Sequence, residues 1–222
     1  GRGDNRTGAL GVLPVLHGLG AGVLAIDMRE NGLSAGAGRG MALGVRESED
    51  AVVAVAEMRR RGYEKVIVLG CSLGGASAIL AAARDDTIDG VIADSPLASF
   101  DRYVAEIADR RLSVFGVQAR WATSIWGSVV VSVTRTRLGL RDFEKPLDVI
   151  ERIAPRPVLL IAGGRDEVTP PAHGQDLAAR SGANASLWIA EEAGHCGASA
   201  AAPDAYHHRV ARMIETVKAV SR

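Results

Sequence analysis

The chain has 222 residues, of which 47% are hydrophobic, which is enough for one folded domain with a buried core. Its 26 Lys and Arg residues balance 26 Asp and Glu residues, so the charge excludes the strongly basic proteins that bind nucleic acids or anionic membranes. The sequence contains no run of 18 apolar residues, so no membrane-spanning helix is predicted.

The N-terminal part of the chain predicts two helices and a strand. Leucines recur every three residues over 9–19, which predicts a helix that Pro14 starts or kinks and that includes His17. Residues 23–27 form a short apolar run that ends at Asp27 and predicts a strand. Residues 47–61 carry apolar side chains on one face and arginines at the end, which predicts an amphipathic helix.

Residues 66–80 predict a strand, a tight turn and a helix. Four apolar residues lead into Gly70-Cys71-Ser72-Leu73-Gly74, and an alanine-rich stretch follows to about Arg84. A Gly-x-Ser-x-Gly turn between a strand and a helix is typical of a nucleophilic serine held on a strained corner. Ser72 is therefore the candidate nucleophile. The alternative is that its hydroxyl merely caps the helix.

The second half of the chain alternates strands and helices after one irregular block. Strands are predicted at 90–94, 157–163 and 186–190, and helices at 171–180 and 203–220. This alternation predicts a parallel sheet with helices on both faces. The irregular block, 97–150, is predicted to be a helical cap or lid inserted at the carboxyl edge of that sheet. Its Trp121 and Trp126 are candidate substrate-binding residues, unless they simply pack the cap onto the domain.

Two polar residues downstream of Ser72 complete a possible catalytic set. Asp166 follows the strand at 157–163, and His195 follows the strand at 186–190. The order Ser72, Asp166, His195 is the one expected for this type of serine turn. Asp166 would orient the imidazole, and His195 would carry the proton. Asp94 is the competing acid, although Asp94-Ser95-Pro96 is better interpreted as a turn.

The remaining candidates concern the oxyanion and the thiols. Backbone N–H groups of Leu73 and of Arg2 are the predicted oxyanion donors. The His17-Gly18 pair is rejected for this role because the strand at 23–27 follows too soon for the intervening helix. Cys71 and Cys196 do not form the framework of a disulfide-rich protein and are interpreted as two reduced thiols near the site.

These motifs resemble those of the α/β-hydrolase superfamily, and within it the lysophospholipase-like esterases and the serine aminopeptidase-like hydrolases. The resemblance spans nearly all of residues 1–222 and implies one α/β domain with a mostly parallel, eight-stranded sheet and a helical cap. The first strands of that fold are missing here, so the chain is expected to be a fragment of a longer protein. The strand at 23–27 would be the fourth, separated from the strand at 66–70 by one absent strand.

The predicted function is hydrolysis of a small carboxylic ester through an acyl-enzyme, with a thioester or an amide as alternatives. The reaction needs no metal ion and no organic cofactor. A serine peptidase or acyltransferase with the same residues, and a non-catalytic binding protein on this scaffold, are the rival interpretations. Haloalkane dehalogenases and epoxide hydrolases need an aspartate where Ser72 stands. The compartment stays open, with the cytoplasm slightly favoured.

Overall fold

Strands and helices alternate along the chain in a computed structural model that describes residues 5–36, 38, 42–114, 129, 132, 133, 136 and 144–220. In chain order the elements are a 3₁₀-helix Arg6–Gly11, α1 Leu13–Gly18, α2 Glu47–Arg60, β1 Ile67–Cys71, α3 Leu73–Arg84, β2 Gly90–Asp94, α4 Phe100–Val114, α5 Pro146–Val149, a 3₁₀-helix Ile150–Ile153, β3 Val158–Gly163, α6 Ala172–Ser181, a 3₁₀-helix Gly182–Asn184, β4 Ala185–Ala190, α7 Ala198–Ala201 and α8 Pro203–Ala219. The strands and helices predicted over 47–94 and 157–220 are confirmed to within one residue at each end.

The four strands of the described residues form one parallel sheet in the order β1-β2-β3-β4. The register aligns their carboxyl ends: Cys71 pairs with Asp94, and Gly163 pairs with Ala190. Loops that follow parallel strands leave a sheet at the same edge. Ser72, Asp166 and His195 each follow a strand, so all three lie at this edge.

Helices cover both faces of the sheet, as the alternation predicts. Each face has its own cluster of buried side chains, because a parallel sheet presents apolar residues on both sides. One cluster packs α2, α3 and the 150–153 turn against the sheet; it includes Val55, Ile79, Leu80, Ile88, Val91, Ile150, Ile153 and Leu160. The other packs α8 against the opposite face; it includes Ile92, Leu159, Ile161, Tyr206, Val210 and Met213.

The N-terminal segment confirms one prediction and corrects another. The helix expected at 9–19 is split into a 3₁₀-helix and α1, with Pro14 in the first turn of α1 and His17 in its last turn. The prediction of a strand at 23–27 was wrong: this segment is not a strand. No strand in the described residues lies beside it to form a ladder. The carboxylate of Asp27 instead accepts backbone N–H groups of Arg6 at 2.6 Å and Leu33 at 2.9 Å.

The part of 97–150 that the structure describes contains α4 and α5. Ion pairs anchor α4 to α6: Arg102 binds Asp176, and the buried His173 lies 3.1 Å from Glu106. His173 Nδ1 accepts the N–H of Ala98 at 3.2 Å, so Nε2 carries the proton donated to Glu106. The described part of 97–150 is therefore mainly helical. Among the helices described here, none is both long and apolar enough to cross a bilayer.

The close contact between β1 and α3 predicts that alanine substitution lowers stability at Gly70 but not at Gly74. A Cβ at Gly70 would lie 2.1 Å from the carbonyl oxygen of Gly74, a backbone clash that no side-chain rotation can relieve. Gly70→Ala should therefore lower the free energy of unfolding by about 3 kcal/mol or more. At Gly74 the nearest atom to such a Cβ is the Met28 methyl, 4.0 Å away, so Gly74→Ala should cost nothing. Urea unfolding of both variants tests this, and equal losses would contradict the packing described.

Candidate active site

Ser72 sits on a strained turn between β1 and α3. Its backbone has φ 55° and ψ −116°, a region that non-glycine residues adopt only when the surrounding structure enforces it. Its N–H donates to the carbonyl of Asp94 at 2.8 Å, and its own carbonyl accepts the N–H of Ala76 at 3.0 Å. The side chain makes no capping hydrogen bond to α3. The alternative that Ser72 merely caps the helix was therefore wrong.

Asp166 and His195 form a direct pair at the same edge. Asp166 Oδ2 lies 2.8 Å from His195 Nδ1, and because a carboxylate only accepts, Nδ1 carries the proton. The other carboxylate oxygen accepts the N–H groups of Val168 at 2.8 Å and Thr169 at 2.9 Å. The Asp166 side chain is fully buried, whereas that of His195 is 25% exposed. This tautomer leaves Nε2 of His195 free to accept a proton.

The pKa of Asp166 is governed by two opposing influences. Burial raises the pKa, but the hydrogen bonds from His195 and Thr169 outweigh it and lower the pKa to about 2. Asp166 is therefore ionised at neutral pH and stabilises positive charge on the imidazole. The two N–H bonds hold the carboxylate in a fixed orientation.

Thr169 also contacts the Asp166–His195 pair, and it was not predicted from the sequence. Its hydroxyl lies 3.0 Å from Asp166 Oδ2 and 3.1 Å from both His195 Nδ1 and the carbonyl of Ser95. A hydroxyl three residues after a strand-end aspartate is a usual turn partner. The spacing Asp166-x-x-Thr169 was thus a usable signal for this residue.

Asp94, the competing acid, ends β2 beside this pair and has a different environment. It is 5% exposed, and burial raises its pKa to about 6 although a hydrogen bond with the Ser95 hydroxyl, 3.3 Å away, opposes this. In the described residues the carboxylate bonded to His195 is that of Asp166, and no hydrogen bond joins Asp94 to the imidazole. The charge of His195 lowers the pKa of Asp94, and the charge of Asp166 raises it.

A disulfide joins Cys71 to Cys196, with 6.0 Å between their Cα atoms. The interpretation of these residues as two reduced thiols was therefore wrong. The two residues are 125 positions apart in the sequence. They meet because Cys71 ends β1 and Cys196 lies in the loop after β4, at the same edge of the sheet. Ser72 and His195 are the immediate neighbours of the two cysteines. Among the described residues, no hydrogen bond joins Ser72 to His195.

The other predicted site residues fall into two groups. Leu73 is the first residue of α3 and is buried, and N–H groups in a first helical turn have no acceptor inside the helix. Arg2, Trp121 and Trp126 lie outside the described residues. Among the described His, Cys, Asp and Glu side chains, no group of three or more is arranged to hold a metal ion.

Residues 7–210 match the model of the Alpha/beta hydrolase family. A search of curated proteins gave no significant match.

Solved structures of three proteins from other organisms have the same fold. An esterase from Pyrococcus furiosus is 24% identical, with a TM-score of 0.71 over 93% of this chain and 75% of the esterase. A monoacylglycerol lipase from Paleococcus ferrophilus is 21% identical, with a TM-score of 0.66 over 98% of this chain and 92% of the lipase. A proline iminopeptidase-related protein from Thermus thermophilus is 18% identical, with a TM-score of 0.68 over 98% and 87% of the two chains. At these identities the likeness is one of fold.

Proposed function

Because this chain belongs to the Alpha/beta hydrolase family, we propose that it is a serine hydrolase that cleaves a carboxylic ester through an acyl-enzyme. The observation that carries the proposal is the strained backbone of Ser72, φ 55°, at the sheet edge where Asp166 holds His195. Non-glycine residues in such sparsely populated backbone regions cluster at active sites, because the strain persists only where the surrounding structure enforces it. The buried, ionised Asp166 supplies the other half of the argument.

In the proposed acylation step, His195 Nε2 removes the proton of the Ser72 hydroxyl as its oxygen attacks the ester carbonyl. The imidazolium that results is stabilised by Asp166, which accepts a hydrogen bond from Nδ1 at 2.8 Å. His195 then donates the proton to the leaving alcohol. In deacylation, His195 takes a proton from water as the water attacks the acyl carbonyl. It then returns a proton to the Ser72 oxygen as the carboxylic acid leaves, which restores the serine.

The negative oxygen of the tetrahedral intermediate needs donors. The N–H of Leu73, at the start of α3, is the proposed first donor, because the helix dipole there also favours negative charge. The N–H of Arg2 is proposed as the second donor. Loss of one such donor is expected to cost about 3 kcal/mol of transition-state stabilisation.

The proposed substrate is a small ester with a hydrophobic acyl group. The neighbours named as an esterase and a monoacylglycerol lipase make carboxylic esters the first class to test. Trp121 and Trp126, in the proposed lid of 97–150, would contact the apolar part of the substrate. Amides are the second substrate class to test, because another neighbour is related to a proline iminopeptidase.

A fluorophosphonate probe tests the proposal directly. The probe phosphonylates an activated serine, so peptide mapping after labelling should find the adduct on Ser72, in the peptide that contains Gly70-Cys71-Ser72-Leu73. Labelling should compete with p-nitrophenyl esters of increasing chain length, and hydrolysis of these esters should exceed that of the matching p-nitroanilides. An adduct elsewhere, or no adduct on protein with a cooperative melting transition, would refute the proposal. Faster anilide hydrolysis would indicate a peptidase instead.

A further inference from the structure

The disulfide between Cys71 and Cys196 connects the two halves of the proposed site. Cys71 is the last residue of β1 and directly precedes Ser72, whereas Cys196 directly follows His195. These two are the only cysteines of the chain, and neither is free. Consecutive Cα atoms lie about 3.8 Å apart, so the 6.0 Å between the two cysteine Cα atoms keeps the Cα atoms of Ser72 and His195 within about 14 Å. The bond therefore limits how far the histidine can move from the serine.

The His195 loop, residues 193–197, makes its hydrogen bonds to residues that follow β2 and β3. His195 binds Asp166 at 2.8 Å, and the N–H of Cys196 donates to the Ser95 hydroxyl at 3.1 Å. The carbonyl of Ala193 accepts the N–H of Arg165 at 2.9 Å. These partners follow β2 and β3. In the part of the chain that the structure describes, no hydrogen bond joins residues 193–197 to β1 or to Ser72.

Hydrogen bonds join the His195 loop to Ser72 only indirectly, because Cys196 binds the Ser95 hydroxyl and the carbonyl of the preceding Asp94 accepts the N–H of Ser72 at 2.8 Å. The disulfide is the direct link, since it joins the residue before Ser72 to the residue after His195. We propose that the Cys71–Cys196 disulfide is a positioning element that holds His195 within reach of Ser72, so that reduction of this bond slows catalysis while the domain stays folded. This inference rests on the proposed function, because it assigns Ser72 and His195 to the reaction.

A dithiol reduces the Cys71–Cys196 disulfide in two steps and so produces the less active form of the protein. One thiolate of the dithiol attacks a sulfur of the disulfide and forms a mixed disulfide, releasing the other cysteine as a thiolate. The second thiol of the reagent then displaces the remaining cysteine. The dithiol loses two electrons and two protons, and Cys71 and Cys196 become two thiols. Both cysteines are half-buried rather than fully enclosed, so a small dithiol can reach them.

The fold has other anchors that should survive reduction. The Asp166–His195 bond, the Ser95–Cys196 bond and the β3–β4 ladder all remain. Displacement of a catalytic group by about 1 Å can lower a rate 100-fold. Reduced protein should therefore have a kcat about 10- to 100-fold lower, with KM changed less than about twofold, since the proposed acyl-binding residues are elsewhere.

The experiment compares oxidised protein, protein reduced with dithiothreitol, and the variants Cys71→Ala, Cys196→Ala and the double variant. Thiol titration should find no free thiol in the oxidised protein and two free thiols per chain after reduction. All three variants should show the same fall in kcat as reduced protein, because loss of either cysteine removes the same bond. Reoxidation should restore the activity of the wild type, and dithiothreitol should not affect the double variant.

Several outcomes would overturn the inference. One is an unchanged kcat in protein that titrates two thiols. Another is additive losses in the single variants, which would mean that each cysteine acts separately. A third is loss of the far-UV circular dichroism signal at the assay temperature on reduction, which would make the bond a support of the fold. Failure of the proposed function is a separate result, because oxidised protein would then carry no fluorophosphonate adduct on Ser72.

Discussion

Ser72→Ala should retain less than about one part in 10⁵ of the wild-type kcat for ester hydrolysis, because no other group in the proposed mechanism can form the acyl-enzyme. The alanine keeps the backbone of the turn and its hydrogen bonds to Asp94 and Ala76, at 2.8 and 3.0 Å. The free energy of unfolding should therefore change by less than about 0.5 kcal/mol. Steady-state kinetics with a p-nitrophenyl ester and urea unfolding of the same sample measure both quantities.

Ser48→Ala is the matched control for this variant. Ser48 lies in α2 and is buried, whereas Ser72 is only partly buried. The Ser48 hydroxyl donates to the carbonyl of Val45 at 2.6 Å and accepts a hydrogen bond at 3.1 Å from Arg84, at the end of α3 far from Ser72. Its loss should lower stability by about 1 kcal/mol and leave kcat unchanged. If Ser72→Ala keeps more than about 1% of the wild-type kcat, or if Ser48→Ala loses activity equally, Ser72 is not the nucleophile.

The strand-end positions of the site residues were predictable from local patterns. The run of apolar residues before Gly70 and the alanine-rich run after Gly74 identify β1 and α3, and the turn between them follows. Asp166 and His195 were found because each follows a short apolar strand and because parallel strands end at one edge. Such patterns need information from only about ten neighbouring residues.

The contacts that depend on distant partners were not predictable in this way. The apolar run at 23–27 has the composition of a strand, but a strand also requires a neighbour to pair with, and composition does not report the neighbour. The Cys71–Cys196 bond joins residues 125 positions apart. Its formation depends on how the loop that contains Cys196 packs against the end of β1. The raised pKa of Asp94 likewise results from burial by elements far along the chain.

The two buried carboxylates at the sheet edge should respond differently to conversion into amides. Asp166→Asn should lower kcat about 10⁴-fold, because an amide can donate to Nδ1 of His195, favours the wrong tautomer and no longer stabilises the imidazolium. Asp94→Asn should lower kcat less than about tenfold, since no hydrogen bond joins Asp94 to His195 among the described residues. Kinetics at pH 7.5 compare the two. Equal losses, or a larger loss for Asp94→Asn, would make Asp94 the acid that orients His195.

At pH 7.5 the free energies of unfolding of the same two variants should differ from that of the wild type in opposite directions. Asp94 has a folded pKa of about 6 against an ordinary 3.8, so the native state binds its proton more tightly and stability falls as the pH rises from 4 to 6. Asp94→Asn removes that penalty and should be more stable than the wild type by up to about 3 kcal/mol at pH 7.5 but not at pH 4. Asp166, with a folded pKa of about 2, stabilises the fold above its ordinary pKa of 3.8 and loses that contribution as the pH falls towards 2. Asp166→Asn should therefore be less stable than the wild type at pH 7.5, by about 2 kcal/mol, and urea unfolding at both pH values distinguishes the two carboxylates even where activity is too low to measure.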